Sequence, residues 1–119
     1  MSATWIQYKG KRIIYADYRG LKGNELIAAL DSEAKLAQEA PGKVLILDDF
    51  TGSVADSAFM EYAKKVGKEI VEPKTEKCAI LGVEGMKKVL LNAYNWFTGA
   101  GTHQRVFDSE LAAKEWLVE

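Results

Sequence analysis

The sequence has very little of the residue types that build disulfides, metal centres and catalytic dyads. Its 119 residues include one cysteine, Cys78, and one histidine, His103. A lone cysteine excludes an internal disulfide, and its place in the apolar run CAIL favours a buried, reduced thiol in a cytoplasmic protein. His103 has no acidic or thiol neighbour in sequence, so we interpret it as a surface residue. No zinc, EF-hand or redox spacing occurs, and the sequence predicts neither a metal nor a cofactor.

The chain also lacks an excess of one charge and a long hydrophobic run. Sixteen basic residues stand against seventeen acidic ones, so no overall field attracts nucleic acid or an anionic membrane. No stretch approaches the roughly 18 apolar residues of a membrane span, and the start of the chain has no signal-peptide core. We therefore expect neither export nor membrane insertion. With 48% hydrophobic residues, positions 1–119 are expected to form a single globular domain.

The segment KVLILDDFTGSVADSAFMEY, residues 43–62, organises the rest of the chain. Residues 44–47 are apolar without alternation, which is typical of a central strand covered on both faces in a mostly parallel sheet. Asp48 and Asp49 follow at the carboxyl end of this strand, where open α/β sheets place their sites. Adjacent strand residues face opposite sides, so the two acids cannot share a proton or a metal with each other. We interpret both as strand-end acids that meet turn amides or solvent.

The other segments predict an α/β fold: a β-hairpin followed by four βα units, with a mostly parallel five-stranded sheet and four helices. The outer strands are predicted at 5–9, 12–18, 77–81 and 104–107, with Gly10-Lys11 as the hairpin turn. Four helices are predicted. The first runs from Asn24, which can act as its cap, to about Ala40, and the second follows the central strand. The third spans 86–97 with Gly99 as its stop, and the fourth begins after Asp108 or Ser109. Either Ser53 or Asp56 can cap the second helix, which is expected to end before Pro73.

Helical spacing predicts which side chains face the sheet. In the first helix, Asp31, Glu33 and Lys35 are expected in solvent. The residues expected to face inward are Ile27, Leu30, Ala34 and Ala37, then Phe59, Tyr62 or Ala63, Val66 and Ile70, then Val89, Leu90, Ala93, Tyr94 and Phe97, and finally Ala112, Ala113, Trp116 and Leu117. Trp96 must then point away from its helix's inner stripe.

The order of elements and the segment LDDFTGSVADSAF resemble the SpoIIAA-like, or STAS, family of bacterial anti-sigma-factor antagonists. The segments AILGVEGMKKVLLNAYNWFTG and RVFDSELAAKEWL extend the resemblance over nearly the whole chain, to the small stand-alone STAS/SEC14-like proteins. The resemblance implies a βα superhelix, a cytoplasmic location and a binding role without catalysis, with another protein as the usual partner. In the classical antagonists an Asp-Ser-Ser-Gly motif carries the phosphorylated serine. The matching positions here are Asp56, Ser57, Ala58 and Phe59, so Ala58 replaces the acceptor and the phosphorylation switch is not expected.

Two functions therefore compete, and neither is enzymatic. The first is a protein-interaction module that presents the turn after the central strand, with candidate contacts at Asp49, Phe50, Thr51, Ser53, Asp56 and Ser57. Phe50 is either an exposed anchor or a cover for the sheet edge. The alternative is a carrier of a small apolar ligand in a SEC14-like pocket, with candidate residues Trp96, Gly99 and Gly101 beside a glycine-rich loop. A homodimer is left open, and a nucleic-acid partner is not expected.

Overall fold

A computed structural model describes residues 2–119, which form five strands and four helices. The strands are β1 (Ala3–Tyr8), β2 (Lys11–Asp17), β3 (Val44–Asp49), β4 (Thr75–Leu81) and β5 (Gln104–Phe107). The helices are α1 (Asn24–Glu39), α2 (Ser57–Val66), α3 (Met86–Thr98) and α4 (Glu110–Leu117). Helix α2 continues through a π-helical turn, Gly67–Val71, and one last α-helical turn, Glu72–Lys74. Within the described residues, no helix is both long and apolar enough to cross a membrane.

The five strands form one sheet in the order β1-β2-β3-β4-β5. Only the β1–β2 pair is antiparallel; the other three pairs are parallel, each joined by a crossover helix. The predicted α/β architecture, a hairpin followed by four βα units, is therefore confirmed. The hairpin turn is Lys9-Gly10 and not Gly10-Lys11, because Tyr8 pairs with Lys11. Both turn residues have positive φ, as in the tight turns that suit hairpin twist.

The sheet has a core on each face, and β3 contributes to both. Val44 and Ile46 pack with α1 and α2, while Leu45 and Leu47 pack with α4. All four side chains are buried, as their continuous apolar run predicts. Helices α1, α2 and α3 cover one face and α4 alone covers the other. β3 is consequently the central strand of the molecule.

The ends of the helices settle the predicted caps. Asp56 caps α2, since its Oδ1 accepts a hydrogen bond from the Phe59 amide at 2.8 Å. Gly99 ends α3 in the left-handed conformation, as expected. Asn24 was expected to cap α1 but is its first residue, and the cap position is held by Gly23 without a side-chain bond. Pro73 was expected beyond α2 but lies inside its extension, because the π-helical turn carries the helix further.

Several predicted helix faces are wrong. Glu33 was expected in solvent but is only 3% exposed, because it lies between Leu30 and Ala37 on the buried stripe of α1. Val89, Ala93 and Phe97 were expected to face inward but are exposed. The inner face of α3 is formed by Leu90 and Tyr94, as predicted, together with Lys87 and Leu91. In α4, Ala113 and Leu117 are buried as predicted, whereas Ala112 is exposed.

Candidate functional site

A cavity of about 90 Å³ lies between the sheet and helices α1, α2 and α3. Its apolar wall is formed by Leu30, Phe50, Ala55, Phe59, Met60, Ala63, Val71, Ile80, Val83, Leu90 and Leu91. Phe59, Met60 and Ala63 of α2 and Leu90 and Leu91 of α3 line it together. The cavity also reaches the carboxyl half of β3, where Asp48 enters the wall. It therefore lies at the sheet edge that open α/β folds use for binding.

Three aromatic rings line the cavity near the end of β3. Phe50 stacks on the fully buried Tyr18, with ring centroids 4.3 Å apart and planes 13° from parallel. The Phe59 ring meets the same tyrosine edge-on, at 6.4 Å. Of the two predicted roles for Phe50, this geometry corresponds to the cover for the sheet edge, because its ring is partly buried against the core.

A pair of buried carboxyl groups forms the polar end of the cavity. Glu33 enters from α1 and Asp48 from β3, and Asp48 is only 8% exposed. The Tyr18 hydroxyl donates to Glu33 Oε1 at 2.7 Å, and the Cys78 thiol lies 3.5 Å from Asp48 Oδ2. Among residues 2–119, no N–H, O–H or S–H donor partners Asp48 Oδ1. The interpretation of Asp48 as a solvent or turn acid is therefore wrong, whereas Asp49 accepts from the Thr51 amide at 3.0 Å, as predicted.

Burial controls the protonation of this pair. Desolvation raises the pKa of Asp48 well above its ordinary value, and the neighbouring Glu33 charge raises it further. Burial also raises the pKa of Glu33, although hydrogen bonds from Asp48 and Tyr18 oppose that rise. Of the two carboxyls, Asp48 is thus the one whose pKa is raised further and which favours the protonated form more. Burial likewise raises the pKa of the Cys78 thiol, which keeps it protonated and poorly nucleophilic.

A second polar cluster borders the cavity at the end of α2. Glu72 accepts from the Tyr94 hydroxyl at 2.5 Å through Oε2, and its Oε1 lies 2.6 Å from His103 Nε2. The prediction of His103 as a surface residue is wrong, since its side chain is 23% exposed and paired with this acid. The two residues are 31 positions apart in sequence, so no local pattern indicated their contact.

Glu33 is the site residue that the pattern of the sequence could have revealed. It follows Leu30 by three residues and precedes Ala37 by four, which is the spacing of the buried face of α1. Because glutamate is charged, Glu33 was instead expected to face the solvent. Asp48 gave a weaker signal, since strand alternation from Val44 and Ile46 places it on their face.

Comparison with known proteins identifies the fold. No protein-family profile matches the chain, and no curated protein matches its sequence. Among solved structures, it is similar to an uncharacterised protein of the DUF3478 family from Shewanella loihica PV-4 that has a SpoIIAA-like fold. The TM-score is 0.72 at 18% sequence identity, over 97% of this chain and 91% of that one. The fold of this chain is SpoIIAA-like. The predicted STAS-type resemblance is confirmed at the level of fold.

On this SpoIIAA-like fold, the turn after β3 mostly uses its polar groups internally. Ser53 is buried, and its hydroxyl donates to the Phe50 carbonyl at 2.8 Å. The Thr51 hydroxyl donates to Asp49 at 2.6 Å. Thr51, Asp56 and Ser57 remain exposed, so of the six candidate contacts these three are the ones a partner can reach. Ala58, the position of the family's phosphate acceptor, is also exposed.

The candidate residues at the end of α3 lie outside the cavity. Trp96 is 88% exposed, as its position opposite Tyr94 predicts. Gly99 is the helix stop and Gly101 belongs to the short 3₁₀ turn Ala100–Thr102. The exposed outer face of α3 also holds Met86, Val89 and Phe97. Among residues 2–119, no cluster of histidine, cysteine and acidic side chains is arranged to hold a metal ion.

Proposed function

We propose that this protein is a non-catalytic carrier or receptor that binds a small, mainly apolar ligand in the cavity beneath α3. The observation that carries the proposal is the cavity itself, because it combines aliphatic and aromatic walls with a few convergent polar groups. Proteins otherwise pack their interiors closely, with few voids larger than a water molecule. A cavity of about 90 Å³ that reaches the carboxyl end of a central strand is the usual place for a ligand in an α/β fold.

The covering helix supports a role in ligand exchange. None of the 13 residues of α3, all of which the structure describes, is fully buried. The helix rests on the cavity chiefly through Leu90, Leu91 and Tyr94. A lightly packed helix can open at a lower free energy than the core, which gives a ligand a route inward. The protonated Cys78 thiol and the carboxyl pair supply no activated nucleophile, which supports binding without catalysis.

Native mass spectrometry of the protein isolated gently from its own cells tests the proposal. We expect a non-covalent mass adduct on the wild type that Ala63→Leu removes, because Ala63 lines the cavity and a larger side chain fills it. Ala93→Leu is the matched control, since Ala93 is exposed on the outer face of α3, and the adduct should persist. A wild type without an adduct, or an adduct equally present in Ala63→Leu, would contradict ligand binding at this site.

A second candidate function is the STAS-type protein-interaction module, which we propose with a different surface from the predicted turn. The observation that favours it is the apolar outer face of α3, where Met86, Val89, Trp96 and Phe97 are exposed. Exposed apolar side chains grouped on one helix face commonly mark a protein contact. A photo-crosslinking residue at position 96, used in living cells, should capture one defined protein, or a second copy of the chain if it dimerises. Capture no greater than from the exposed position 61 on α2 would argue against this surface.

The single reduced thiol supports a cytoplasmic setting for either function.

A further inference from the structure

Apart from the Gln104 side-chain amide, the hydroxyl and ammonium donors on the cavity wall are already engaged within the protein. The Tyr18 and Tyr94 hydroxyls donate to carboxylates, and the Thr75 hydroxyl donates to the Val71 carbonyl at 2.8 Å. Lys87 donates from Nζ to the Phe50 carbonyl at 2.9 Å. A ligand that needed a hydroxyl or ammonium donor from this wall would have to break one of these bonds, at a cost.

The acceptors on the same wall are in excess. Asp48 Oδ1 is fully buried, and among residues 2–119 no N–H, O–H or S–H group donates to it. The adjacent Glu33 carboxyl accepts from the Tyr18 hydroxyl, and Asp48 Oδ2 accepts from the Cys78 thiol, so these two donors face a pair of carboxyl groups with four acceptor oxygens.

Most of the ionisable side chains that line the cavity are acidic. Three acids line it: Glu33 from α1, Asp48 from β3 and Glu72 from the extension of α2. Of the described lysines and arginines, only Lys87 lines the cavity, and its ammonium is bound to the Phe50 carbonyl. The Glu33 and Glu72 carboxylates would repel an anionic ligand, whereas a cation would offset their charge in a medium of low dielectric constant.

The cavity volume limits the part of the ligand that enters. About 90 Å³ is roughly three times the volume that one water molecule occupies in the liquid. It is below the roughly 150 Å³ of a cavity known to hold benzene. A short aliphatic group beside Phe59 and Val71 therefore matches this volume better than an aromatic ring does.

We propose that the carboxyl pair Glu33 and Asp48 recognises the ammonium group of a short-chain aliphatic primary amine. This inference rests on the proposed function, because it names the chemistry of the ligand in the same cavity. On binding, any proton held by the pair leaves for the solvent, because the ammonium supplies the donors and the charge that offset both carboxyls. The ammonium then donates to the carboxyl groups of Asp48 and Glu33, and its hydrocarbon chain lies against the apolar wall. An alcohol of the same length brings a donor without a charge, and a carboxylate brings the wrong charge.

Three probes of matched size, n-propylamine, 1-propanol and propionate, test the head group. Each is titrated at neutral pH and constant ionic strength into ¹⁵N-labelled protein, and amide shifts are followed at Asp48, Cys78 and Val71. We expect the amine to bind at least tenfold more tightly than the alcohol, and propionate to leave these amides unmoved. Equal or tighter binding of 1-propanol would overturn the ammonium assignment while supporting the cavity as a ligand site. If none of the three probes shifts these amides, both the inference and the proposed function are contradicted.

Two amide variants separate recognition by the carboxyls from a general salt effect. Asp48→Asn and Glu33→Gln keep the size of each side chain, and we expect either to reduce the preference for the amine over the alcohol to less than twofold. Asp49→Asn is the control, because its carboxyl accepts from Thr51 and lies outside the cavity wall. It should keep the full preference. An undiminished preference in both folded amide variants would overturn the proposal, and using two variants guards against one that fails to fold.

Discussion

At the scale of single residues, the buried pair Glu33 and Asp48 makes stability depend on pH in an unusual direction. Their pKa values are raised in the folded protein, so the folded state binds protons more tightly than the unfolded state does. The stability that this brings is fully present below the ordinary carboxyl pKa of about 4. It is lost as the pH rises through the raised values.

Replacing Asp48 with Asn removes the part of this dependence that comes from Asp48. We expect Asp48→Asn to unfold with a free energy about 1 kcal/mol above that of the wild type at pH 7, since each pKa unit corresponds to about 1.4 kcal/mol. The advantage should shrink as the pH falls toward 4. Urea denaturation across this range measures it. Asp17→Asn should instead be less stable than the wild type by an amount that is constant from pH 7 to about 4 and shrinks only below that, because a hydrogen bond from Arg19 lowers the pKa of Asp17. A difference between Asp48→Asn and the wild type that does not change with pH would contradict the assignment.

Two neighbouring residues at the start of α2 have different roles in stability. Asp56 accepts the hydrogen bond from the Phe59 amide, whereas the Ser57 side chain is exposed and makes no hydrogen bond within the described chain. We expect Asp56→Ala to cost about 1 kcal/mol of unfolding free energy and Ser57→Ala less than about 0.5 kcal/mol. Chemical denaturation of both variants provides the comparison. A larger cost for Ser57→Ala would show that the cap is wrongly assigned.

Phe50 tests whether the turn after β3 is a contact or part of the core. Its ring stacks on Tyr18, and such pairs contribute about 0.5 to 1.5 kcal/mol beyond the area they bury. We expect Phe50→Ala to lower the melting temperature by several degrees. Trp96→Ala, at a side chain that is 88% exposed, should leave it nearly unchanged. An unchanged melting temperature for Phe50→Ala would return Phe50 to the set of exposed contacts.

At the scale of elements, the crossing of α2 and α3 depends on the absence of a side chain at Gly67. A Cβ atom there would lie 2.2 Å from the Tyr94 hydroxyl oxygen and 2.8 Å from its Cζ. Tyr94 cannot move freely, because it also donates to Glu72. The glycine, which weakens a helix by about 1 kcal/mol relative to alanine, is therefore explained by close packing.

Helix propensity alone would predict that replacing Gly67 with alanine stabilises the protein, and the close contact with Tyr94 reverses this expectation. Gly67→Ala should destabilise the protein by about 1 to 3 kcal/mol, as overpacked sites do, although alanine favours helix. In a Tyr94→Ala background the same change should become neutral or stabilising. A double-mutant cycle measured by urea denaturation isolates this coupling. Equal effects of Gly67→Ala in both backgrounds would show that the contact is not limiting.

The elements were largely predictable because their signals are local. The apolar run 44–47 and the positions of glycine, proline and cap residues determine the order of strands and helices. The inner face of α3 was predictable only in part, because apolar residues surround the helix and spacing alone cannot choose among them. Tyr94 belongs to the inner face through its bond to Glu72, and that acid comes from a distant segment. The cavity depends on such long-range contacts, and no sequence motif predicts it.

At the scale of the whole molecule, the two faces of the sheet are covered unequally. Helix α4 packs directly on one face around Leu47, whereas the other face carries three helices and the cavity. The sequence predicts the two-sided sheet, since β3 is apolar at four consecutive positions. It does not predict the void, because a void depends on how side chains of α1, α2 and α3 fail to meet. The unequal packing divides the molecule into a firm core and a cover that can open.

Hydrogen exchange of the native protein tests this division. Amides of α3, such as those of Leu90 and Leu91, should exchange at least about tenfold faster, relative to their intrinsic rates, than the amide of Ala34 in α1. Both segments are helical, but Ala34 is buried while no residue of α3 is fully buried, all of them being described. A ligand in the cavity should slow exchange in α3 more than in α1, because it contacts the wall that α3 provides and binds only the closed form. Equal protection of the two helices would show that α3 is part of the core, and the ligand would then need another route.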